Sequence, residues 1–323
     1  MAVLSSSVQH LTPFNNPWFL RGGHAQTVWP SFFRKVETRI QPKAWQTNTP
    51  DDDVLAGDFY EPEDAAAIAV ICHGLEGHAR RPYVLGMVQA LTQAGFAVLA
   101  WNYRSCGGTM NKQARFYHSG ATDDLQAVIN QLPGDANWPV YLVGFSLGGN
   151  LVLRYLGEQG SRVSSRIAGA GAISVPLFLA DGADHLNQGL SKLYIHNFLK
   201  SLEAKIKEKA PLFPGVYRTE MLGQLRSLRD FDEHFTAPIH GYANADDYYA
   251  RASAGFLLND ICRPVLLLQA LNDPFLPHSC FPKSNNRLIT NCFVPQGGHC
   301  GFVQAGNELS YADISIRDFW KKL

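Results

Sequence analysis

Four short apolar runs stand out along the chain: Ile68–Cys72, Phe96–Trp101, Val140–Val143 and Ile167–Val175. Each is of strand length and continuous rather than alternating, the mark of a strand buried on both faces. Helical patterns separate them. One covers Pro82–Ala94 and stops at Gly95; another covers Thr122–Leu132, with Asp123 and Asp124 in a first turn where the helix dipole favours them. A third starts after Ser146. Strand and helix alternating in this way imply a mostly parallel, doubly wound sheet with helices on both faces. Ahead of it, Thr38–Trp45 and Val54–Tyr60 flank a polar turn at Asp51–Asp53 and predict an antiparallel portion. This acidic triplet reads as a solvated turn rather than a cation site.

The alternation breaks over residues 176–240. There, Leu186–Lys209 reads as one or two helices with Leu190, Leu193, Tyr194 and Leu199 on an apolar stripe. The sheet resumes at Pro264–Gln269 and Asn291–Val294, and a last helix covers Glu308–Lys321. The expectation is one domain over 1–323, with 176–240 as a helical cap insertion and 1–35 as an N-terminal arm. The arm holds Phe14, Trp18, Phe19, Trp29, Phe32 and Phe33, but Pro13, Pro17 and Pro30 oppose a continuous amphipathic helix. Packing of the arm over the domain is therefore favoured over an interfacial membrane anchor.

Composition narrows the picture. Of 323 residues 46% are hydrophobic and 17% charged, enough for a large core and too ordered a balance for a disordered chain. Lys+Arg and Asp+Glu both number 28, so no global field favours nucleic acid or an anionic membrane. Met1–His10 lacks the basic and apolar regions of a signal peptide, and no stretch reaches the ~18 apolar residues of a membrane span. The six cysteines include no Cys-x-x-Cys pair and read as reduced, mostly buried residues of a cytoplasmic protein.

The chemistry centres on Gly144-Phe145-Ser146-Leu147-Gly148, which follows one apolar run and opens a helix. A serine at such a sharp strand-to-helix turn projects its hydroxyl from the carboxyl edge of a sheet. To act as a nucleophile it needs a base, a group orienting that base, and donors for an oxyanion. Asp273, in Leu271-Asn272-Asp273-Pro274, directly follows a strand-like run. His299, in Gly297-Gly298-His299-Cys300-Gly301, follows the last one. Asp246, Asp247, Asp260 and His278 are weaker rivals. Cys72-His73-Gly74-Leu75-Glu76-Gly77 leaves the first buried strand, where the N–H of Leu75 would meet that of Leu147. His73, Glu76 and His78 lack a metal-binding spacing, and no metal or cofactor is expected. The chain order Ser146, Asp273, His299, each at a strand end, is that of one fold's catalytic triad.

With these residues in view, the chain resembles the α/β-hydrolase family, and within it the YheT-like branch that includes ABHD-type esterases and lipases. The matching segments are His24–Pro30, His73–Gly77, Asn102–Gly108, Tyr117–Gly120, Gly144–Asn150, Asn272–Phe275 and Gly298–Phe302. The resemblance implies a serine esterase or lipase with Ser146, Asp273 and His299 as its triad, and a cap over the site. Its partner would be a small-molecule ester, with the apolar cap stripe favouring an apolar acyl group. An acyltransferase using the same triad and a non-catalytic binding protein on the same fold are the rival readings. Arg104 reads as a tie between loops and His118 as a cap or brace of the following helix, rather than as substrate contacts.

Overall fold

The computed structural model describes residues 13–282 and 284–323. Expectations for Met1–His10 and for the first twelve residues of the arm lie outside the described residues. Eight strands form one sheet: β1 (Lys43–Asn48), β2 (Val54–Tyr60), β3 (Ala67–Cys72), β4 (Phe96–Asn102), β5 (Val140–Phe145), β6 (Ile167–Ile173), β7 (Val265–Ala270) and β8 (Ile289–Val294). Their order is β1-β2-β4-β3-β5-β6-β7-β8, antiparallel at β1/β2 and β2/β4 and parallel elsewhere. The chain thus winds from β3 to β4 on one side, then crosses to β5 on the other. A crevice opens at that switch, at the carboxyl ends of the strands. This is the mostly parallel sheet expected from the alternation, in the α/β-hydrolase arrangement that the resemblance implied, with its antiparallel portion at the N-terminal edge. The first strand begins at Lys43 rather than Thr38.

Every residue of β3, β5 and β7 is buried, because both sheet faces are covered. Ile68, Val70 and Cys72 face one apolar cluster, and Ala69 and Ile71 face the other. This is why these strands read as unbroken apolar runs. The covering helices are α1 (Gly23–Phe33), α2 (Pro82–Thr92), α3 (Thr122–Asn130) and α4 (Leu147–Gln159). Between β6 and β7 come α5 (Leu179–Leu186) and α6 (Lys192–Lys209). They are followed by α7 (Leu228–Phe231), a single π-helical stretch at Asp232–Thr236, α8 (Ala237–Ile239) and α9 (Ala245–Ala252). This insert has its own apolar cluster of Ile195, Leu199, Leu202, Ile206 and Phe235, joined by Phe116 and Phe275 from outside it. The closing helix, α10 (Tyr311–Trp320), begins with a capping box in which Ser310 and Asp313 bond each other's backbone N–H.

The described part of the arm is not one continuous helix, since α1 starts only at Gly23, but Pro30 itself lies inside that helix. A proline in the last turn forfeits only the bond to the carbonyl of Gln26, and Gly301 approaches that carbonyl so closely that a Cβ on it would lie 2.1 Å away. In the described part of this segment Leu20, Gln26, Thr27 and Pro30 are buried, while Trp18, Phe19, Phe32 and Phe33 are exposed. One expectation needs correction: the acidic triplet is not a merely solvated turn. Arg104, buried at the end of β4, bonds Asp53 at 2.7 Å, Asp124 at 2.6 and 2.8 Å, and Asp51 at 2.9 and 3.0 Å. Burial works to raise the Asp51 pKa, but hydrogen bonds from Arg104 and Thr49 outweigh it and hold the carboxyl at about 2. The guanidinium thus ties the β1–β2 turn to α3, a brace as its place after a strand suggested.

Replacing Arg104 with Met leaves Asp53 and Asp124 buried without their cation. Losing one partner of such a cluster costs about 3–5 kcal/mol. Urea denaturation of Arg104→Met is expected to show a loss of that size, and an unchanged midpoint would refute this account of the brace.

Candidate active site

Ser146 sits between β5 and α4 with φ +54 and ψ −118, a conformation disfavoured for a residue with a side chain. The flanking glycines make the turn feasible. A Cβ on Gly144 would lie 2.0 Å from the Gly148 carbonyl oxygen, and one on Gly148 would lie 2.2 Å from that of Cys72. Strand pairing of Cys72 beside Gly144 brings the loop after β3 against this turn.

The three residues singled out by their order along the chain meet here. His299 Nε2 is 2.9 Å from Ser146 Oγ, and His299 Nδ1 is 2.9 and 3.1 Å from the two Asp273 carboxylate oxygens. Asp273 is buried just past β7, and one of its oxygens also accepts the Phe275 N–H at 2.8 Å. Phe275 stacks on the imidazole at 4.0 Å between centroids and 14° between planes. Burial disfavours a charged His299, but the Asp273 carboxylate outweighs it and raises the pKa above the usual 6.5. The rivals fall elsewhere: Asp246 pairs with Arg229, Asp247 accepts the Ala243 N–H, and Asp260 is exposed on the surface.

The loop after β3 is held from three directions. His73 is fully buried, and burial pushes its pKa down to about 3. As a neutral ring it donates from Nδ1 to the Gly74 carbonyl at 2.8 Å and accepts the Tyr103 N–H at Nε2 at 3.3 Å. The Gly74 N–H donates to the Tyr83 hydroxyl at 2.9 Å. Glu76, at φ +54, donates its N–H to the Tyr117 hydroxyl, which in turn donates to its carboxylate at 2.7 Å. The same carboxylate receives Lys205 Nζ at 2.7 Å and the Ser201 hydroxyl, both from α6. Leu75 and Leu147 line the same cavity as Ser146. Among the described residues no group of three His, Cys, Asp or Glu could hold a metal ion. His73 in particular spends both nitrogens on the backbone.

Sequence reasoning missed Gln26 and Thr27. Gln26 Oε1 accepts the Asn272 side chain at 2.8 Å and the Gly297 N–H at 2.9 Å, while its Nε2 donates to Gln296. Thr27 Oγ1 accepts the His299 N–H at 2.8 Å. One turn of α1 therefore holds the loops that carry Asp273 and His299. The signal was available, since His24–Pro30 belonged to the matching segments, but nothing local assigned it a task. Glu76, weighed only as a metal ligand, is instead the point where α6 grips the loop beside Ser146. His118 bonds the Gly120 N–H as a brace and also lines the cavity, with its ring 4.3 Å from that of His240.

The cavity holds about 690 Å³, and Ser146 and His299 are among the residues that line it. Its wall is largely apolar, with Leu179, Leu186, Phe198, Leu202 and Phe231 from the insert. No helix among the described residues is long and apolar enough to cross a membrane.

If Glu76 keeps the loop in register, Lys205→Met is expected to lower kcat about tenfold with a smaller change in KM, and Glu76→Gln to lower it further, on the scale of a weakened oxyanion contact. Steady-state kinetics on a soluble ester decides this; an unchanged kcat in both variants rejects it.

The family described as alpha/beta hydrolase fold matches residues 70–305. YheT of Escherichia coli, which carries an esterase name, is 33% identical over 290 residues, covering 87% of this chain and 84% of its own. The mouse phospholipase ABHD3 is 28% identical over 271 residues, 81% of this chain and 65% of its own. Among solved structures, the Pyrococcus furiosus esterase Pf2001 superposes with a TM-score of 0.57 at 17% identity, over 90% of this chain and 98% of that one. Fold, sequence and family profile agree: the chain belongs to the α/β-hydrolase fold family, in its YheT- and ABHD3-like group.

Proposed function

We propose that the protein hydrolyses carboxylic esters through an acyl-enzyme on Ser146. The observation that carries the reading is the unbroken hydrogen-bond chain from Ser146 through His299 to Asp273, with Ser146 and His299 lining a largely apolar cavity. In the proposed first step His299 Nε2 takes the hydroxyl proton as Ser146 Oγ attacks the ester carbonyl. Asp273 keeps the proton of Nδ1 in place and stabilises the imidazolium. The N–H groups of Leu75 and Leu147 receive the negative charge on the carbonyl oxygen. Collapse breaks the bond to the alcohol oxygen, which leaves with the proton from His299. Water then attacks the acyl carbon, giving its proton to His299, and the acid departs as Ser146 recovers its own.

The cavity wall supports an ester with an apolar acyl group longer than acetyl, since leucine and phenylalanine side chains reward burial of each added methylene by about 0.8 kcal/mol. The names of the relatives, an esterase and a phospholipase, fit this substrate class. The six free cysteines, four of them buried, suit the reducing cytoplasm.

Fluorophosphonate labelling is expected for the wild type and not for Ser146→Ala; absent labelling of the folded wild type, or labelling that survives the substitution, rejects the nucleophile. Across nitrophenyl acetate, hexanoate and laurate, kcat/KM should rise beyond acetate, and a maximum at acetate would reject the acyl assignment.

The reaction needs neutral His299. Because Asp273 raises its pKa, the neutral fraction grows as pH increases through a range above 6.5. The acid limb of kcat/KM against pH is therefore expected above 6.5. Asp273→Asn should move that limb down and cut kcat by about 10⁴. A limb at 6.5 or below in the wild type contradicts the assigned coupling.

A further inference from the structure

We propose that the protein docks on an anionic lipid surface through α1 and the start of α6, with the mouth of the cavity turned toward the lipid. Thirteen large hydrophobic residues are exposed among the described residues, and seven belong to this one face. Trp18 is 82% exposed, Phe32 76%, Leu193 67%, Phe33 65% and Leu190 64%. Aromatic rings run in contact from Trp18 through Phe19 and Trp29 to Phe33, with centroids 5.8–6.0 Å apart. His24 on α1 bonds Tyr194 on α6 at 3.1 Å and stacks on it, so the two helices present their apolar residues side by side. Phe32, Leu190 and Leu193 also line the cavity. The patch is therefore the rim of the opening rather than a scatter of surface residues.

Charge selects the occupant. The chain as a whole has as many acids as bases. Yet residues 13–36 contain Arg21, Arg34 and Lys35 with no Asp or Glu, and residues 187–202 contain Lys192 and Lys200 with none. Arg34 is taken up by Asp313, while Arg21, Lys35, Lys192 and Lys200 are exposed. Aromatic and leucine side chains interspersed with exposed cations match the boundary between acyl chains and anionic headgroups. A second copy of the chain fits less well, because a twofold contact would press these cations against their own copies. Overall composition hides these exposed cations, because the acids that balance them lie in other segments of the chain.

This inference draws on the proposed ester hydrolysis only for what the cavity receives. Its test needs no turnover. Ser146→Ala protein is mixed with vesicles of phosphatidylcholine plus phosphatidylserine, or of phosphatidylcholine alone, and sedimented. Binding is expected with the first, with a blue shift of tryptophan emission, and is expected to weaken with the second and with added salt. Changing Trp18, Phe19 and Phe33 together to Ser, none of which lines the cavity, should reduce the partition by at least about tenfold. In a chain with Ser146 intact, the same triple change should leave hydrolysis of a water-soluble ester unaltered, which shows that the variant is folded. Wild-type protein that stays in the supernatant with both vesicles overturns the proposal, as does binding that the triple change does not reduce. A homodimer that the triple change dissociates assigns the face to self-association and overturns it too. Failure of fluorophosphonate labelling would instead remove the catalytic reading and leave the vesicle result standing.

Discussion

The structure depends on how closely backbones approach around Ser146. Pairing of β3 with β5 sets Cys72 beside Gly144, and the turn into α4 then passes within contact of both strands. Only hydrogen fits at positions 144 and 148, and the serine between them accepts a positive φ. Unfavourable local geometry of this kind persists only when the surroundings over-determine it. Here two buried strands and the packed face of α4 do so.

Polar groups then fix what apolar packing leaves adjustable. Leucine and valine set the distance between helix and sheet, but they do not orient a loop. Three loops at the carboxyl edge are held by hydrogen-bonding side chains: Gln26 and Thr27 for the loops of Asp273 and His299, and Tyr83, Tyr117 and Glu76 for the loop after β3. Such groups are costly to bury unless satisfied, so a displaced loop would strand several at once. On α6, Ser201, Lys205 and Lys209 follow at four-residue spacing and all point to the body, the last to Asn111. This polar row makes the insert a bound part of the site rather than a loose flap.

The sheet was legible because burial on both faces leaves an unambiguous mark on sequence, as in Ala67–Cys72 and Val265–Ala270. The meeting of Ser146, Asp273 and His299 was legible because strand ends of a parallel sheet converge. What escaped was long-range and polar. Nothing within a few residues of Gln26 indicates a partner at Asn272 or Gly297, and nothing near Asp53 indicates Arg104. The fate of the arm's aromatics was equally hidden. Amphipathic spacing says that one face is apolar, not whether the domain covers it, and in α1 the polar Gln26 and Thr27 turn inward instead.

The clasp of α1 on the loops of Asp273 and His299 also has a consequence for biogenesis. Gln26 and Thr27 leave the ribosome well before Asn272, Gly297 and His299, so this clasp closes only after the strands that lie between them in the chain have been made.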